Sequence, residues 1–111
     1  MKLEIKRCKL IVTVPLSHSG IVRKAVGDTL KAGKFEKYSH CSFSSAGVGR
    51  SRPTDEAKPF IGELEKLNEY PEERIEFDNI KIEDIKEVVE AMLKVHPYEQ
   101  VVYDVYPLLD F

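Results

Sequence analysis

The run from His96 to Pro107, HPYEQVVYDVYP, constrains the fold more than any other stretch of this chain. Proline disfavours helical geometry in the residue before it, so His96-Pro97 ends whatever helix precedes it. The residues that follow alternate and are rich in Val and Tyr, which suits a pleated, half-buried surface. Val101, Tyr103 and Val105 share one face; Val102, Asp104 and Tyr106 share the other. A helix must therefore hand over directly to a strand. Upstream, Ile82, Ile85, Val88, Val89, Met92 and Leu93 recur at helical spacing. Glu83 and Asp84 lie in the first turn of that helix and Lys94 in its last, as the helix dipole favours. Before it, residues 74–80, RIEFDNI, alternate as a strand, with Asp78-Asn79 as a turn signal. Tyr70-Pro71 argues against a continuous helix across 60–80, so an extended or bulged region is expected there.

The N-terminal half repeats this order. Residues 9–15, KLIVTVP, form an apolar β-branched strand ended by Pro15. Ser17 and Ser19 offer N-cap oxygens to a helix carrying Ile21, Val22, Ala25, Val26 and Leu30, with Gly33 as its stop. A second strand is expected over 38–45, YSHCSFSS, with Tyr38 and His40 on one face and Cys41 and Phe43 on the other. Residues 47–53, GVGRSRP, read as a mobile segment and 54–59, TDEAKP, as a loop.

The order βαββαβ in 111 residues predicts a single α+β domain spanning 1–111, a ferredoxin-like sandwich with two helices on one face of an antiparallel sheet. The opposite face then needs cover, and a second copy of the chain is the natural cover. With 42% hydrophobic and 32% charged residues the chain can bury a core without staples. A net charge of −2 gives no general pull toward nucleic acid or an anionic membrane. The charged N-terminus and two cysteines suggest a reduced, cytoplasmic protein, and no apolar run is long enough to span a bilayer.

Five segments occur in order: Pro15-Leu16-Ser17-His18, Tyr38 to Phe43 (YSHCSF), Gly47-x-Gly49-x-x-Arg52-Pro53, Pro59-Phe60-Ile61-Gly62 and His96-Pro97-Tyr98-Glu99. Together they resemble the inserted domain of the Nif-three-like (YqfO) family and the small proteins made of that domain alone. The likeness runs from about Lys9 to Phe111. It implies a CutA/PII-like fold packed as a homotrimer. It also implies that the dinuclear metal site of the long relatives belongs to flanking domains, so their metal chemistry does not transfer. Gln100 stands where the family often has Glu, and Ser51 where it often has an aromatic residue.

The candidate ligand-binding residues are His18, His40, Arg50, Arg52, His96 and Glu99. Histidine is the commonest metal ligand, so a divalent metal ion is the cofactor to consider. No His-x-x-x-His or Cys-x-x-Cys spacing supports a preformed metal site. Two arginines in a glycine-containing segment could hold a small anionic ligand, although the segment lacks the P-loop ending. Cys41 reads as a buried, inert thiol. Tyr38, Tyr98, Tyr103 and Tyr106 read as core or interface residues, because the C-terminal strand lacks the basic residues of a nucleobase platform. The favoured function is a small-ligand, metal-ion or regulatory binding module with no catalytic residue of its own. The alternatives are an acid–base enzyme using His40, His96 and Glu99 on an anionic substrate, and a purely structural oligomerisation module.

Overall fold

The computed structural model describes residues 4–110. Four strands, β1 (Arg7–Pro15), β2 (Phe43–Ser51), β3 (Asn68–Lys81) and β4 (Tyr103–Leu108), form one sheet in the order β2-β3-β1-β4. All three pairings are antiparallel. Helices α1 (Leu16–Asp28) and α2 (Ile85–Val95) complete the ferredoxin-like arrangement, with a single 3-10 turn at Ile82–Asp84 before α2.

The core follows from the alternation of β1. Cys8, Leu10, Val12 and Val14 are fully buried beneath the helices, together with Ile75, Phe77 and Ile80 of β3. Val22 and Val26 of α1 and Val88 and Met92 of α2 close the layer from above. Fully burying one such side chain contributes about 1.5–3 kcal/mol. Ile82 and Leu93, expected on the same apolar stripe, sit at its margin and stay exposed.

Several local expectations change. Residues 38–42 are not strand; β2 begins at Phe43 and runs through the glycines to Ser51. The segment expected to be mobile is thus the strand, and Tyr38 and His40 lie outside the sheet. Its Ser and Gly residues carry no apolar signal because β2 is a largely exposed edge strand. β3 begins six residues earlier than the alternation 74–80 suggested. Pro71 is tolerated because β1 pairing stops at Glu72, leaving position 71 with one neighbouring strand instead of two.

Asp78-Asn79 is not a turn between elements. Cys8 opposes Ile80 while Leu10 opposes Phe77, so β3 carries one extra residue opposite Lys9. Asn79 absorbs it at φ +55°, and its amide donates to the Lys34 carbonyl. The turn signal was a bulge signal.

Neither Ser17 nor Ser19 caps α1. The cap position is Pro15, Ser17 pairs with the His18 ring, and Ser19 donates to the Leu16 carbonyl. The helix ends at Asp28, and Leu30 takes a positive φ of 57° before Gly33 at 64°. α2 ends as expected, with His96 extended ahead of Pro97. β4 starts at Tyr103 instead of Val101. Both cysteines are free; Cys8 is the buried one, its thiol pushed up by that burial, and Cys41 is only partly buried.

Candidate functional site

A groove of about 720 Å³ lies where β1 ends. Thr13 of β1, Arg50 and Ser51 of β2, Tyr70 and Glu72 of β3, the loop carrying Arg52 to Ile61, and the segment Tyr98 to Val102 converge on it. The long β2–β3 hairpin carries its share past the end of β1, and the His96-Pro97 break turns the chain toward it.

Tyr98 organises the groove. Its hydroxyl donates to Glu72 Oε2 at 2.6 Å, and its ring packs against His96 (centroids 4.9 Å apart), Tyr70 (6.2 Å) and Phe60 (6.4 Å). Burial, with the Glu72 charge adding to it, drives its hydroxyl far above the ordinary tyrosine range. Tyr98 is therefore a neutral donor at any physiological pH.

His96 is nearly buried behind Tyr98. The Tyr98 backbone N–H donates to His96 Nδ1 at 3.2 Å, so that nitrogen must be unprotonated. Nε2 therefore carries the proton and donates to the Thr13 carbonyl at 2.8 Å. Burial is the largest influence and holds the ring's pKa below the usual histidine value, against the opposing pull of the Thr13 bond. Both ring nitrogens are committed, so His96 here braces the groove wall and has no free nitrogen to offer a substrate.

Of the other candidate residues, Arg50, Arg52 and Glu99 line the groove. Arg50 Nε is paired with Glu69 at 3.1 Å; Arg52 donates to the Glu65 carbonyl and lies 3.5 Å from its carboxylate. Glu99 Oε1 accepts the Lys58 backbone N–H at 2.9 Å. His18 stacks edge-on against Phe60, centroids 5.2 Å apart, at the margin of the groove. His40 is elsewhere. Its Nε2 contacts Asp28 Oδ1 at 2.8 Å at the far end of α1. Thirteen helical residues span about 20 Å, so within one chain His40 and His96 stand apart. Lys24 first, and His40 second, hold the Asp28 carboxyl below its ordinary range.

The glycine-based anion cradle does not form as expected. Gly47 and Gly49 are extended in β2, where successive N–H groups point to alternate sides of the strand instead of converging. Gly49 matters for another reason. A Cβ there would collide with the Glu72 carboxylate and stand 2.8 Å from the Tyr70 ring. Among the described residues no group of three or more His, Cys, Asp and Glu side chains is arranged to hold a metal ion. No described helix is long and apolar enough to cross a membrane.

Glu72, Tyr70 and Phe60 were not among the candidate residues. A signal was present: Tyr70, Glu72, Arg74 and Glu76 alternate in continuous phase with the strand at 74–80. Pro71 obscured it.

The sheet order, the two packed helices and the long β2–β3 hairpin define a CutA/PII-like domain of the ferredoxin-like class. CutA from Synechococcus elongatus superimposes with a TM-score of 0.68 at 13% identity, covering 97% of this chain and 81% of that one. A Bacillus cereus protein related to NIF3 matches with a TM-score of 0.78 at 41% identity, covering 96% of this chain and 27% of its own. The Bacillus subtilis protein named GTP cyclohydrolase 1 type 2 homolog is 48% identical over 100 residues, 90% of this chain and 26% of that protein. No family model matches the sequence. The chain has a CutA/PII-like fold and is similar over about 90% of its length to one segment of these NIF3-related proteins, spanning about a quarter of the length of the curated relatives it matches.

Proposed function

We propose that this chain is a cytoplasmic, homotrimeric binding module with no catalytic centre of its own, taking a small ligand in the groove at the end of β1. The observation that carries this reading is the groove itself. Separate chain segments deliver polar and aromatic side chains to one cavity of about 720 Å³, within the range typical of small-molecule sites. The His96 arrangement supports binding over acid–base chemistry, because both ring nitrogens are already occupied.

Trimer formation is supported by the fold likeness and by the exposed apolar residues of β4, Tyr103, Val105 and Tyr106, on a strand with one free edge. Light scattering should give a mass near three times 12.7 kDa; a clean monomer at micromolar concentration overturns the assembly. A thermal-shift screen of divalent metals and nucleotides, guanine nucleotides among them because of the curated relatives' name, tests the ligand reading. A ligand that binds only the folded state at one hundred times its Kd adds about 2.7 kcal/mol of stability. No shift with any of them would favour a purely structural module.

A further inference from the structure

The charges in the groove are unevenly matched. Arg50, Arg52, Glu56, Glu72 and Glu99 line it. Each arginine already faces a glutamate outside the lining, Glu69 for Arg50 and Glu65 for Arg52. Among the described residues none of the three lining glutamates has a cationic partner. Glu72 and Glu99 accept neutral donors, the Tyr98 hydroxyl and the Lys58 N–H. Those bonds orient the carboxylates without cancelling their charge.

Glu72 is the best placed of the three. Tyr98 holds Oε2, and Oε1 lies over Gly49, where the missing Cβ leaves it room. The rings of Tyr98 and Tyr70 lie beside it, and Phe60 packs on Tyr98 in the same groove. A fixed carboxylate next to aromatic faces attracts a positive charge twice, through the ion pair and through the ring quadrupoles.

Resting on the reading of the groove as a ligand site, we infer that its ligand is an organic cation: a primary ammonium group on an apolar or aromatic body. The ammonium donates to Glu72 Oε1, and the body packs on Tyr98 and Phe60. Gly49 and Tyr98 act as positioning residues for that carboxylate. A simple anion fits worse. It would have to draw Arg50 and Arg52 from their glutamates and then sit beside three uncompensated carboxylates.

The test is calorimetric titration of the full chain with 2-phenylethylammonium and with neutral 2-phenylethanol, which share one body and differ in charge. The amine should bind at least about tenfold more tightly than the alcohol, the minimum expected for one charge-assisted hydrogen bond. Its affinity should fall as salt is raised, and Glu72→Gln should remove most of the difference between the two probes. Equal binding of amine and alcohol overturns the inference while leaving a ligand groove in place. So does binding of inorganic phosphate or a nucleotide without binding of the amine. Failure of every probe, with no shift in the thermal screen, removes both the inference and the reading beneath it.

Discussion

Gly47 and Gly49 lie two residues apart on the same strand and face, neither at positive φ, and alanine should act on them in opposite directions. A Cβ at position 47 meets nothing within 4 Å. Gly47→Ala therefore only reduces the freedom of the unfolded chain and should stabilise by about 0.5 kcal/mol. At position 49 the same methyl group meets the Glu72 carboxylate and the Tyr70 ring. The glutamate can swing aside, but it then gives up the Tyr98 hydroxyl. Overpacking costs about 1–3 kcal/mol, and a charge-assisted hydrogen bond about 1.5–3 kcal/mol when fully buried. This bond is partly solvated, and alanine's entropic gain offsets part of the loss. The net expectation for Gly49→Ala is destabilisation by about 1–2 kcal/mol. Urea unfolding at fixed protomer concentration reads this out. With a slope of about 1.5 kcal/mol/M, the midpoint should rise by about 0.3 M for Gly47→Ala and fall by about 1 M for Gly49→Ala. In a Glu72→Ala background the cost of Gly49→Ala should shrink, because one of its two collisions is gone. Midpoints moving together in the two single variants, or an undiminished cost in the Glu72→Ala background, would refute the argument.

The depressed pKa of His96 sets a second expectation. The unfolded ring takes up a proton near pH 6.5, whereas the folded ring does so only at lower pH. Between those values the unfolded state binds more protons, so stability falls as pH drops below about 6.5 and is flat above it. Urea midpoints between pH 5 and 7.5 should show this decline in the parent protein and less of it in His96→Gln. Phe77→Ala, at a site 2% exposed, should cost about 3–5 kcal/mol and is checked by the same unfolding curves. Asn79→Gly should cost little, glycine's ease at positive φ offsetting loss of the bond to the Lys34 carbonyl, while Asn79→Val should destabilise by at least about 1 kcal/mol; thermal melts separate the two.

The legible parts of the fold were those where burial writes a period into the sequence. β1, an apolar β-branched run, and α2, with Val88 and Met92 inward at helical spacing, were readable from the apolar pattern alone. His96-Pro97 was readable because proline acts through local sterics, which no tertiary contact can override. β2 was misplaced because an edge strand of Ser and Gly buries little, while the alternating YSHCSF segment before it imitates a strand. The site was half legible. Arg50, Arg52 and Glu99 do line one groove, and His96 braces it. Glu72 was missed because its role depends on Gly49 and Tyr98, which lie 23 and 26 residues away in the chain.

The extra residue in β3 has a consequence for how this domain can vary. Ile75 and Phe77 occupy odd positions and Ile80 an even one, yet all three reach the same core. The strand thus changes phase once, at Asp78-Asn79, and each half is written in its own parity. A one-residue deletion there would remove the bulge and leave Ile80 opposite Cys8, facing the core in an unbroken ladder, while the segment before it kept its register. Loss of two residues would set Ile80 directly after Phe77, turning it toward solvent and pressing Lys81 toward the apolar layer. Length variation among related chains at this point should therefore be confined to the loss of that one extra residue, because inside and outside are assigned by counting.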